Sequence, residues 1–146
     1  MTEDSKPWHA AFPAPRTTAP VITRDEALTD LSSDDLLLVD VRRTDFEGGT
    51  IKGSLNLPAH SFYMNRAVLF DLCKRAGVKR VAFYCGSSNG RGPRCSGWFA
   101  DYIAEKGTSQ IKALTLEGGI KGWVKAGESY TQQMEGFEPE YWGQFE

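Results

Sequence analysis

Apolar residues in this chain fall into runs of two kinds. Leu36-Leu37-Leu38-Val39-Asp40-Val41 is nearly continuous, Val81-Ala82-Phe83-Tyr84 is wholly so, and Ile111 to Leu116 supplies a third run. Short unbroken runs of this length predict strands covered on both faces, as in a parallel sheet. Ser54-Leu55-Asn56-Leu57 alternates instead and stops at Pro58, which predicts a shorter strand. Between these runs the period changes to that of a helix. Ala67 to Ala76 carries Val68, Leu69, Leu72 and Cys73 at helical spacing and closes at Gly77. The segment after Pro93 sets Trp98, Phe99, Tyr102 and Ile103 on one stripe, and Ile120 to Lys125 forms a short helix ending near Gly127. Thr23 with Glu26 three positions later is a capping-box signal for a helix to about Leu31. Arg42 to Gly53 reads as loop, with Gly48-Gly49 and Gly53 permitting tight turns. Strands that alternate with helices predict an α/β fold, a central parallel sheet flanked by helices on both faces. In such sheets a site lies beyond the carboxyl ends of the strands.

The ends of the chain differ from its middle. Residues 1–20 hold Pro7, Pro13, Pro15 and Pro20 among small and polar residues. They predict an irregular arm laid across the domain through Trp8 and Phe12, with no helix or central strand. Residues 21–127 are expected to form the domain that carries the site. Residues 128–146 form a tail whose aromatics (Tyr130, Phe137, Tyr141, Trp142, Phe145) pin it to that domain. No internal repeat is visible.

At 146 residues the chain supports one domain with its own core. A net charge of -2 and a pI near 5.7 give no reason to expect nucleic acid or an anionic membrane as a general partner. No apolar run approaches a membrane span, and the N-terminus lacks a basic-then-apolar leader pattern. Cys73, Cys85 and Cys95 are odd in number and irregularly spaced, so they make neither a disulfide framework nor a zinc site. A reducing cytoplasmic or nuclear setting follows as the expectation.

The candidate chemistry lies in Tyr84-Cys85-Gly86-Ser87-Ser88-Asn89-Gly90-Arg91-Gly92-Pro93-Arg94. A strand delivers a cysteine into a loop of small residues, which then enters a helix. Amides of Gly86, Ser87, Ser88, Asn89 and Gly90 turned inward over a helix N-terminus make an anion-binding concavity. The helix terminus and Arg91 would stabilise the thiolate of Cys85 there. Five residues between Cys85 and Arg91 let amides and guanidinium hold a tetrahedral oxyanion while sulfur attacks it. The competing reading is a buried structural cysteine followed by a capping loop.

Other residues carry weaker signals. Asp40, beside Arg42 and Arg43, reads as a structural ion pair that orients loops rather than a general acid. Asp45 and Glu47 are acid candidates in a glycine-rich loop. Cys95 is a candidate to resolve an oxidised Cys85, although a buried helix cysteine is the plainer reading. Cys73 reads as core, Arg94 as an anion attractor or surface residue, and Ser87 and Ser88 as secondary donors to a bound oxyanion.

Three stretches in order resemble the rhodanese superfamily, specifically its M-phase inducer (cell-division-cycle type) phosphatase branch. They are Leu38-Val39-Asp40-Val41-Arg42 with Asp45 to Leu57, Cys85 to Arg94, and Leu116-Glu117-Gly118-Gly119-Ile120-Lys121-Gly122-Trp123. Small eukaryotic arsenate reductases belong to the same branch. The resemblance implies a rhodanese-like fold, with Cys85 as nucleophile, the loop amides as oxyanion cradle and Arg91 as clamp. It also implies a loop one residue longer than in the sulfurtransferase members, the length that phosphatases and arsenate reductases use. The expected substrates are phosphate, arsenate or a phosphorylated molecule. No cofactor is implied beyond glutathione or a glutaredoxin as reductant in the arsenate case. Three departures stand out: Tyr84 occupies the place of a loop-ordering histidine, Gly90 that of a glutamate, and Val41 that of a back-door cysteine. The alternatives are a thiosulfate-type sulfurtransferase with a Cys85 persulfide, or a non-catalytic binding module.

Overall fold

A computed structural model describes residues 7–108 and 110–145, so residues 1–6 of the arm lie outside the described residues. The three apolar runs become β2 (Leu36–Asp40), β5 (Arg80–Tyr84) and β6 (Lys112–Leu116), parallel neighbours in register. Two-residue strands complete the edges: β1 (Val21–Ile22) beside β6, and β4 (Leu55–Asn56) beside β2. The resulting parallel sheet has the order β1-β6-β5-β2-β4. Because β5 lies at its centre, the residue that follows Tyr84 emerges between the ends of β2 and β6.

Successive strand side chains point to opposite faces, and here both faces are covered. Val39, Val81, Phe83 and Ala113 pack with α2 (Ala59–Phe62), α3 (Arg66–Ala76) and α4 (Arg91–Lys106), meeting Phe62, Leu69, Cys73, Phe99 and Ile103. Leu38, Ala82, Leu114 and Leu116 pack with α1 (Arg24–Thr29), α5 (Gly119–Lys125) and α6 (Glu128–Thr131), meeting Ala27, Ile120, Trp123 and Tyr130. Full burial of each such side chain contributes roughly 1.5–3 kcal/mol, which is why these strands lack a polar face. The Thr23 hydroxyl caps α1 by accepting from the Glu26 N–H at 3.1 Å.

Four local expectations are corrected. In α3 the buried face is Leu69, Phe70 and Cys73, while Val68 and Leu72 are 58% and 52% exposed. The helix is apolar on two sides, and the side carrying Phe70 is the one that meets Tyr102 of α4. In the arm, Trp8–Ala11 form a single 3-10 turn, closed by the Ala10 N–H donating to the Pro7 carbonyl at 3.0 Å. The stretch expected to be loop contains β3 (Thr50–Ile51), which pairs antiparallel with β7 (Met134–Glu135) of the tail. The strand expected over Ser54 to Leu57 is confined to the two residues of β4.

The described parts of the arm and of the tail both lie against the domain. The Trp98 indole donates to the Pro13 carbonyl at 2.8 Å, and Phe12 stacks on Tyr63 with ring centroids 4.7 Å apart. A Cβ on Gly97 would stand 2.6 Å from the Thr17 carbonyl, so glycine is required where the arm crosses α4. At the other end, Trp142 of α7 (Pro139–Gly143) is buried and its indole donates to the Gly48 carbonyl at 2.7 Å. Among the described residues, no helix is long and apolar enough to cross a membrane.

Candidate active site

Cys85 leaves β5 at the C-terminal edge of the sheet and opens the loop that becomes α4 at Arg91. Only 3% of the residue is exposed, yet it forms part of the wall of a cavity of about 510 Å³. The Gly92 N–H, in the first turn of α4, donates to the Cys85 sulfur at 3.3 Å. That amide is one of the donors a helix N-terminus leaves without an intrahelical acceptor, and it is aimed at the sulfur.

The loop is held from outside by the turn that begins α5. The Ile120 N–H donates to the Cys85 carbonyl at 3.0 Å and the Lys121 N–H to the Gly86 carbonyl at 2.9 Å. Both peptides are trans, so the N–H groups of Gly86 and Ser87 are directed away from α5. This approach requires Gly119: at φ +61° a Cβ there would lie 2.6 Å from both carbonyl oxygens. Ser88 takes the left-handed conformation, φ 61°, and turns the loop back toward α4.

The position of the guanidinium depends on a buried ion pair that shapes the neighbouring loop. Asp40 and Arg42 are both buried, and Asp40 accepts from Arg42 Nε at 3.0 Å and from Nη2 at 2.8 Å. Arg42 then donates to the carbonyls of Asp45, Glu47 and Gly49, which shapes the 43–49 loop around it. The loop presents Asp45 to Arg91 in a two-pronged pair, Nη1 to Oδ1 at 2.8 Å and Nη2 to Oδ2 at 2.6 Å. The guanidinium beside it holds the Asp45 carboxyl down at about 2. Asp40 is thus a structural anchor with no protein-free face, in line with the sequence reading.

Tyr84, at the place of the family's histidine, is fully buried with its hydroxyl 2.8 Å from Thr50 Oγ1 and 2.7 Å from Ser54 Oγ. It also accepts from the Ile51 N–H at 3.3 Å. Burial first, then the Asp40 charge, pushes its phenol well above the usual range. Tyr84 therefore stays protonated and ties β5 to the β3–β4 segment instead of reaching the loop.

The cavity gathers some expected residues and omits others. Cys85, Gly86, Ser87, Gly90, Arg91 and Asp45 line it, and Ser88 and Asn89 do not. The Ser88 hydroxyl is buried without a hydrogen-bond partner and lies 3.5 Å from where a Gly92 Cβ would stand, while Asn89 faces a neighbouring depression beneath the arm with Arg94. Cys95 is fully buried, and burial together with the nearby Cys85 disfavours its thiolate, which argues against a resolving role. Burial pushes the Cys73 thiol up to about 11, as fits core. Arg42, Ile120, Lys121, Trp8, Tyr141, Trp142 and Phe145 complete the wall and were not assigned there from sequence. The Lys121 ammonium lies 4.6 Å from the Phe145 ring centroid, so a second cation is held at the mouth by the tail. Lys121 lies inside the motif that carried the resemblance, whereas nothing local in the sequence marks the tail aromatics as cavity wall. His60, tilted against Trp8 with ring centroids 4.7 Å apart, has its proton affinity lowered by burial and by Arg43 and Arg91.

Comparison with known proteins agrees with this fold. The sequence model of the rhodanese-like domain matches residues 23–126. The chain is 28% identical over 96 residues to arsenical-resistance protein 2 of Saccharomyces cerevisiae, covering 61% of this chain and 74% of that protein. Among solved structures it resembles a yeast protein tyrosine phosphatase of the rhodanese family, with TM-score 0.69, 22% identity, and coverage of 86% of this chain and 98% of that one. It also resembles an As-Sb reductase from Leishmania major, with TM-score 0.67, 21% identity, and coverage of 84% and 89%.

Proposed function

Because the chain belongs to the rhodanese-like domain family, we propose that it is a cysteine-dependent enzyme for tetrahedral oxyanions, a phosphatase or an arsenate reductase. One observation carries the reading: the Cys85 sulfur, met by the first-turn Gly92 amide, shares a cavity with the Arg91 guanidinium. The names of the similar proteins, a phosphatase and arsenic-directed proteins, support the same substrate class. So does the five-residue spacing between Cys85 and Arg91.

Cys85 attacks phosphorus or arsenic, while Arg91 and the loop amides stabilise charge on the remaining oxygens. With a phosphate ester, the S–P bond forms as the P–O bond to the leaving group breaks, and water then releases phosphate from the cysteinyl-phosphate. With arsenate, hydroxide leaves as water. Two thiols, from glutathione or a glutaredoxin, then supply the two electrons for As(V) to As(III) and end as a disulfide, and water breaks the S–As bond to release arsenite and restore the Cys85 thiol.

The test is parallel kinetics of the purified protein on an aryl phosphate and on arsenate with glutathione plus glutaredoxin. The expected result is turnover of at least one, abolished by Cys85→Ser. Full turnover by Cys85→Ser would remove the mechanism, and a persulfide on Cys85 formed from thiosulfate, without oxyanion turnover, would replace it with sulfur transfer.

A further inference from the structure

The proposed site has one oddity: its clamp is already occupied. Both terminal nitrogens of Arg91 are engaged by the two oxygens of Asp45, at 2.8 and 2.6 Å. That edge of a guanidinium is the one that takes two oxygens of a phosphate or arsenate in a bidentate pair. Asp45 and Arg91 line the same cavity as Cys85, so the carboxylate stands where an oxyanion would seek its cation.

Building on the oxyanion reading above, we propose that Asp45 is a displaceable partner of Arg91. In the free protein its carboxylate fills the oxyanion seat; once an incoming oxyanion takes that seat, Asp45 protonates the leaving group.

The surroundings support both halves. Asp45 is presented by a loop anchored through Arg42, which binds the Asp45 and Glu47 carbonyls, and the Arg43 N–H donates to Oδ1 at 3.2 Å. The backbone is thus fixed while the carboxylate can exchange partners. The charged or titratable groups around the pair are Arg91 of α4, Arg42 and Arg43 of the same loop, His60 of α2, Lys121 of α5, and Asp40 and Cys85, which face Arg91. While Arg91 holds it, Asp45 is ionised and has no proton to give. When an oxyanion replaces it, the carboxylate loses two charge-assisted hydrogen bonds and gains an anionic neighbour, and both changes raise its proton affinity. Glu47 has no such position: its carbonyl serves Arg42, and the residue does not line this cavity.

The step balances. The Cys85 thiolate, the ester dianion and the neutral Asp45 acid become a cysteinyl-phosphate dianion, a neutral alcohol and the Asp45 carboxylate. In the second half Asp45 takes a proton from the attacking water and phosphate departs; as Arg91 returns, Asp45 gives that proton to solvent, the reverse of the proton uptake that accompanied its displacement by the ester.

Two measurements test it. Inorganic phosphate is titrated calorimetrically into the wild type, Asp45→Asn, Asp45→Ala and the control Glu47→Gln. Both Asp45 variants should bind phosphate about tenfold more tightly, and the control should change less than about twofold. The variants are then compared on 4-nitrophenyl phosphate, whose leaving group departs without a proton, and phenyl phosphate, whose leaving group needs one. Loss of kcat on phenyl phosphate by about 10²-fold or more, with KM lowered and little loss on 4-nitrophenyl phosphate, is the expected pattern. Phosphate affinity unchanged or weakened in both Asp45 variants would overturn the displaceable clamp, and equal kcat losses on the two esters would overturn the proton donor. A wild type that turns over neither ester nor arsenate would remove the oxyanion reading and the proton donor with it, while the phosphate titration would still decide the clamp.

Discussion

Gly119→Ala puts one methyl group at the contact between the α5 turn and the cysteine loop. Two costs follow. The residue has φ +61°, a conformation that costs an L-residue roughly 1–2 kcal/mol. The new Cβ would also lie 2.6 Å from the Cys85 and Gly86 carbonyl oxygens, so the backbones must part. That separation breaks or stretches the bonds from the Ile120 and Lys121 amides, at 3.0 and 2.9 Å, each worth about 0.5–1.5 kcal/mol net. The expected loss of stability is therefore about 2–5 kcal/mol. Gly77→Ala separates the two costs, because Gly77 has φ +79° with nothing within 4 Å of its Cβ position. It should lose only the conformational part, about 1–2 kcal/mol. Urea unfolding of both variants gives the difference directly. Displacing the loop by about an ångström should also reduce turnover about 10²-fold in Gly119→Ala and leave Gly77→Ala active. If the two variants unfold alike and Gly119→Ala keeps full turnover, the α5 turn does not position the cysteine loop.

Three further outcomes are expected. Arg42→Met leaves Asp40 buried without its cation and should cost about 3–5 kcal/mol, read from the urea midpoint. Tyr84→Phe removes the hydroxyl shared by Thr50, Ser54 and the Ile51 amide. Its expected cost is about 1–3 kcal/mol, with the Cys85 thiol still reactive toward an alkylating agent. The Asp45 carboxyl lies at about 2 in the folded protein against an ordinary 3.8. The stability it contributes should therefore be complete above about pH 5 and be lost progressively as pH falls through about 2. Because its side chain is 42% exposed, that contribution should be only about 1 kcal/mol after solvent screening. It is measured as the difference between wild type and Asp45→Asn across pH 2–5.

The parts of the molecule legible in the sequence are those specified by neighbours along the chain. β2, β5 and β6 could be read because both their faces are buried, which leaves no polar alternation to obscure them. The passage from strand to Cys85 loop to α4 is likewise written in consecutive residues. What could not be read depends on distant partners. β3 and β7 contribute two residues each, and they are strands only because Thr50 meets Glu135 and Ile51 meets Met134. Asp45 in its loop looks like any solvated acid until the fold brings Arg91 to it. Tyr84 read as the loss of a loop-ordering histidine, yet its hydroxyl serves Thr50 and Ser54, a role visible only once β3 and β4 lie beside β5. In α3, Val68 and Leu72 satisfied the helical period as well as Phe70 did, and only the position of α4 decides between the faces.

Acid-quenched turnover followed by peptide mass mapping addresses the nucleophile itself. During steady-state reaction with an aryl phosphate, or with arsenate before thiol is added, the peptide bearing Cys85 should carry the phosphoryl or arsenic group, and Cys85→Ser should carry none. Turnover with the group on another residue, or undiminished turnover by a protein in which Cys85 is never modified, would contradict the role assigned to that sulfur.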